Sequence, residues 1–110
     1  MATKLTPAIV KAEEFMGDLQ QNQIDRAYSL TSKEYQKQNS SAQFADYIKK
    51  FEMFTKHTSR SITSTFLNQN QAATQVTIQM TLNSPNNAMT CTLILIEEQD
   101  TWKISSLSVP

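Results

Sequence analysis

Apolar positions recur at helical spacing through the first half of the chain. Ile9, Ala12, Phe15, Met16 and Leu19 fall on one face of a helix. Thr6 is placed to cap its start, and Pro7 to occupy its first turn, where a missing N–H costs nothing. Gly17, the only glycine, lies inside this helix and costs about 1 kcal/mol against alanine there, which predicts a close packing contact. The polar run Gln20 to Gln23 ends the helix. A second short helix carries Ile24, Ala27, Tyr28 and Leu30, and Ser32 caps a further turn through Tyr35. After the polar break Asn39-Ser40-Ser41, one of these serines caps a third helix. Phe44, Tyr47, Ile48 and Phe51 line its apolar side at i, i+3, i+4 and i+7.

The period then changes to two. Ile62, Ser64 and Phe66 alternate with Ser61, Thr63 and Thr65, and residues 68–71 form a polar turn. Val76, Ile78, Met80 and Leu82 alternate with Thr77, Gln79 and Thr81. Asn83 to Asn87 has the composition of a hairpin loop. The third strand, Met89 to Glu97, is apolar on both faces: Met89, Cys91, Leu93 and Leu95 on one, Ile94 and Ile96 with Thr90 and Thr92 on the other. In the last strand Trp102 and Ile104 share one parity, Leu107 and Val109 the other. A bulge near Ser105-Ser106 brings all four to one side. The expected fold class is α+β: N-terminal helices packed on a curved four-stranded antiparallel sheet.

A chain of 110 residues is one domain, 1–110, with helices over about 6–54 and the sheet over about 59–109. It buries enough surface to fold without a metal or disulfide staple. Ten basic and ten acidic residues balance, which argues against a nucleic-acid footprint and against a polybasic membrane patch. No apolar run is long enough for membrane insertion as a helix, and the first residues carry no apolar core of a signal peptide. Cys91, the only cysteine, reads as a small core hydrophobe. From His57 to Ile96 the only charged side chain is Arg60.

Several local phrases resemble the nuclear-transport-factor-like and ketosteroid-isomerase-like superfamily of cone-shaped α+β domains, in particular its small bacterial members. They are Phe15 to Leu19 followed by Asp25-Arg26-Ala27-Tyr28-Ser29-Leu30, then Gln43-Phe44 to Phe51, then Asp100-Thr101-Trp102-Lys103-Ile104. The phrases span nearly the whole chain. Asn22-Gln23 departs from the Gly-Asp or Gly-Asn turn common there. The resemblance implies a curved sheet around a long helix, and a cone pocket that binds a small apolar molecule or catalyses a proton shift in some relatives. In many others the cone is packed core and the domain assembles proteins.

An isomerase or dehydratase needs an acid or histidine base in that cone, with a donor for the developing oxyanion. The inward strand positions offer none, and His57, between Lys56 and Thr58, is expected at the surface or in a loop. No metal or phosphate motif is present, and no cofactor is predicted. If a cone pocket exists, Tyr28, Tyr47, Met80 and Trp102 are its expected lining, with a small apolar ligand. The outer sheet face, with Thr77, Gln79, Thr92, Ile94 and Ile96, is nearly free of charge, as interface cores are. Two readings follow. One is a non-enzymatic binding or assembly module, homodimeric through that face. The other is a small apolar-ligand-binding protein or isomerase-like enzyme. Abundant Thr, Ser, Gln and Asn resembles exported bacterial domains, favouring an exported or periplasmic location over the cytoplasm.

Overall fold

The structure is a computed structural model and describes residues 5–69 and 74–109. Five helices, α1 (Leu5–Gln20), α2 (Ile24–Ser29), α3 (Lys33–Gln38), α4 (Ser41–Lys50) and α5 (Met53–Lys56), precede four strands, β1 (Ser59–Gln69), β2 (Thr74–Asn83), β3 (Ala88–Glu98) and β4 (Thr101–Ser108). The strands form one antiparallel sheet in the order β1-β2-β3-β4, open and curled, with the helices on its inner face. The fold class is as expected.

The helix caps explain the breaks between helices. At the end of α1 the Gln23 N–H donates to Asp18 O at 2.7 Å and the Asn22 N–H to Leu19 O at 3.0 Å, while Asn22 takes φ 61°. This is a Schellman closure with asparagine in the left-handed position, the job that glycine usually does. Ser32 caps α3 by accepting from the Tyr35 N–H at 3.1 Å. Ser40 and Gln43 form a reciprocal capping box at the start of α4. Two boundaries differ from the sequence reading. The backbone is already helical at Leu5, so Thr6 and Pro7 lie within α1. Phe51 does not extend α4: it takes φ −120°, and a separate turn, α5, follows. The expected turn at 68–71 reaches Asn70 and Gln71, which lie outside the described residues.

The core lies between α1, α4 and the inner face of the sheet. Val76, Ile78, Met80 and Leu82 from β2, Cys91, Leu93 and Leu95 from β3, and Trp102, Ile104 and Leu107 from β4 are buried against Phe15, Met16, Leu19, Phe44 and Ile48. The expected bulge in β4 is present. Ile104 lies opposite Leu95 and Ser106 opposite Ile94, so Ser105 is the extra residue and Leu107 returns to the inner face. Cys91 is buried, and burial pushes its thiol up to about 11.

β1 corrects the sequence reading. Ile62 lies opposite Met80 and Ser64 opposite Gln79, so Thr63 is an extra residue. The bulge divides what looked like one face. Ile62, Thr65 and Leu67 share the inner side with Met80, Ile78 and Val76, whereas Phe66, opposite Thr77, points outward. Gly17 has a neighbour but no tight one: a Cβ there would sit 3.7 Å from Arg60 Nη2, an ordinary contact.

The β3–β4 hairpin turns through Gln99 and Asp100 at φ 50° and 66°. Both central residues are left-handed, as in a type I′ turn, which asparagine and glycine suit best. A side chain in that region costs about 1–2 kcal/mol. Replacing Gln99→Asn together with Asp100→Gly is expected to stabilise the protein by about 1–2 kcal/mol, read as a higher midpoint in urea with unchanged slope. A lower midpoint would mean that these side chains make contacts worth more than the backbone strain.

Candidate functional site

Three arrangements of side chains merit a functional reading. The first joins α1 to the entry of β1. Arg60 Nε donates to Glu13 Oε2 at 3.1 Å, and Nη1 donates to Gln20 Oε1 at 2.9 Å. The same Nη1 lies 3.0 Å from His57 Nε2. His57 Nδ1 lies 2.8 Å from Met53 O, and Gln20 Nε2 donates to His57 O at 2.9 Å. The Met53 carbonyl can only accept, so Nδ1 carries the proton and Nε2 accepts from Arg60. His57 does lie in the loop between α5 and β1, as expected, but it is not at the surface: it is 2% exposed. Burial holds its imidazole below the ordinary value and Arg60 adds to this, against the Met53 carbonyl, which favours the charged form. Both ring nitrogens are engaged, which leaves no lone pair for a substrate proton. The arrangement is a clamp.

The second is a cleft of about 340 Å³ between α3, α4 and the end of β4. Tyr35 and Tyr47 flank it, Asn39 and Gln43 supply amides, and Ser105 and Leu107 come from the bulged end of β4. No charged side chain lines it. Burial raises the Tyr35 phenol, with smaller contributions from Tyr47 and Tyr28. Burial also raises the Tyr47 phenol, against a hydrogen bond with the Val109 backbone. Both are uncharged donors at neutral pH. The cleft is shaped by tilted and edge-on rings: between ring centroids, Phe44 lies 5.5 Å from Tyr28, 6.0 Å from Phe15 and 6.1 Å from Tyr35, and Tyr47 lies 5.3 Å from Phe51.

Of the four expected pocket residues, only Tyr47 lines this cleft. Met80 and Trp102 are buried in the core, and the Tyr28 hydroxyl donates to Asn39 O at 2.6 Å. Tyr35, which like Tyr28 and Tyr47 can seat its ring in the core and turn its hydroxyl into a cavity, lines it as well, whereas Asn39, Gln43 and Ser105 were not foreseen. Their one advance signal was the predicted bulge, since bulges re-aim side chains near sites.

The third is the outer sheet face. Register places the five expected interface residues together on it. Thr77 stands between Phe66 and Ile94, Gln79 between Ser64 and Thr92, and Ile96 between Gln75 and Lys103. Phe66, 62% exposed, joins them through the β1 bulge and was not expected there.

Among the described residues no group of His, Cys, Asp and Glu could hold a metal ion, and no helix is long and apolar enough to cross a membrane. The fold and these sites define a small α+β domain with helices on one face of an antiparallel sheet and the other face open. The chain belongs to the family described as domain of unknown function (DUF4864), whose model matches residues 6–110. No curated protein matches the chain.

Proposed function

We propose that this protein is a non-enzymatic binding or assembly module of the nuclear-transport-factor-like type, homodimeric through the outer face of its sheet. The observation that supports this reading is the row Phe66, Thr77, Ile94 and Ser106 across that face, with an exposed aromatic ring and no charge in it. Like charges are therefore absent from the centre of a two-fold contact, and an aromatic anchor is present, as at interface hot spots. Four strands about 4.8 Å apart, each eight residues of about 3.3 Å, give roughly 500 Å² in projection. Side-chain relief brings this toward the roughly 800 Å² per partner of a standard interface. The uncharged polar composition supports an exported or periplasmic bacterial setting.

The reading as a small apolar-ligand binder or isomerase-like enzyme draws less support. Its expected lining is largely core, the one histidine is clamped, and the cleft is polar.

Sedimentation equilibrium on the wild type and on Phe66→Asp with Ile94→Asp tests the dimer. The expected result is a wild-type dimer and a folded monomeric variant, with association weakened at least about 100-fold. A wild type that stays monomeric at high micromolar concentration would overturn the proposal.

A further inference from the structure

The cleft runs beside an edge of the sheet that is only partly covered. Where α2 leads into α3, the chain forms a one-residue parallel bridge to β4, Thr31 opposite Ile104. Ile104 N–H donates to Leu30 O at 2.9 Å, and Ser32 N–H donates to Ile104 O at 2.8 Å. Ile104 thus turns both backbone groups away from β3. Along an antiparallel ladder this orientation alternates. Ser106, opposite Ile94, is the next pair, and Leu107, opposite Leu93, is the one after. Leu107 therefore also presents its N–H and C=O outward. The covering chain has by then left for α3, and among the described residues no backbone hydrogen bond from outside the sheet reaches Leu107.

Leu107 lines the cleft, and the side chains around it can both donate and accept. Asn39 Nδ2 donates to Tyr35 O at 3.3 Å, leaving its amide oxygen. Gln43 Oε1 accepts from the Ser40 N–H at 2.8 Å, leaving its NH2 group. Tyr35 adds a protonated hydroxyl. An outward N–H and C=O pair, neutral amides and two flanking tyrosine rings complement an extended main chain bearing uncharged side chains. We propose that the cleft binds a short, extended, uncharged peptide segment, which continues the sheet along β4 from the point where Leu30–Ser32 leaves it. Main-chain pairing with Leu107 supplies the register, and the rings of Tyr35 and Tyr47 hold the peptide's side chains. The volume, near the lower end of the roughly 300–1,000 Å³ of ligand-sized pockets, suits a few residues of such a segment.

The test is a titration of the ¹⁵N-labelled protein with acetyl-Ser-Val-Thr-Val-Ser-amide, followed by amide chemical shifts. Shifts are expected at Ser105 to Leu107 and at the side-chain amides of Asn39 and Gln43, with a dissociation constant on the order of 1 mM. Methylating the central peptide nitrogens removes main-chain donors and is expected to weaken binding at least about tenfold. Tyr35→Phe, which keeps the ring and the packing, is expected to weaken it about threefold, the loss of one modest hydrogen bond. The proposal is overturned by an absence of shifts at about 10 mM peptide, or by equal affinity for the methylated peptide. It is also overturned by shifts confined to Ile62 to Leu67 on the other sheet edge, or by maltose moving the cleft resonances where the peptide does not.

Discussion

Truncating Phe44 to alanine is expected to destabilise the protein by about 3–5 kcal/mol, a large part of the roughly 5–15 kcal/mol available to a domain. Phe44 is buried, and its ring meets Phe15 from α1, Tyr28 from α2 and Tyr35 from α3. Three short helices, α2 to α4, have little stability of their own and depend on this packing. Removing the ring opens a cavity where they converge, so the cleft loses its shape along with the core. Chemical denaturation gives the loss directly. Phe44→Leu, which keeps most of the volume, is expected to retain most of the stability. If Phe44→Ala lost less than about 1 kcal/mol, the convergence at this ring would be wrong.

The Arg60 clamp is expected to make the protein acid-sensitive. The imidazole of His57 is held below its ordinary value by burial, aided by Arg60. In the unfolded chain it titrates near its ordinary value of about 6.5. Between those two values the unfolded state binds more protons, so stability rises with pH there. The contribution is fully present above about pH 6.5 and is lost as pH falls through the lowered folded value. The geometry gives the reason. Protonated Nε2 becomes a donor facing Arg60 Nη1, 3.0 Å away, and two donors cannot share a bond. Of the neighbouring charged groups, Glu13 opposes Arg60 and favours the protonated ring. Melting temperatures from pH 8 to pH 5 are expected to fall below about pH 6.5 in the wild type and to fall less steeply in His57→Gln. Arg60→Ala, measured at pH 8, is expected to cost about 2–3 kcal/mol, because His57 Nε2 and Gln20 Oε1 each lose their donor. An acid limb as steep in His57→Gln as in the wild type would remove His57 as its cause.

The two bulges show how far the sequence could be read. In β4, Trp102 and Ile104 are out of phase with Leu107, and all three are apolar. Only an extra residue can bury them together, so the residue pattern alone required the bulge at Ser105. In β1, Ile62 and Phe66 are already in phase, and nothing in the pattern asks for the bulge at Thr63 that separates them. The exposed Phe66 of the proposed interface was hidden for that reason. The burial of His57 was hidden for a similar one. Its sequence neighbours, Lys56 and Thr58, are polar, but the groups that bury and satisfy it come from Met53, Arg60 and the distant Gln20.

By itself the sequence determined what depends on near neighbours. Helical and strand periods, a serine cap at Ser32 and another at Ser40 or Ser41, the inward rows of β2 and β3 and the α+β layering all follow from interactions within a few residues or from the parity of one strand. The tertiary structure alone decided what depends on meetings across the chain. Such meetings are the pairing that bulges β1, the Glu13–Arg60–His57 clamp, and the cleft that brings Tyr35 and Gln43 against Ser105 and Leu107. Local spacing carries no record of which distant backbone will lie opposite, and that opposition sets both burial and hydrogen-bond partners.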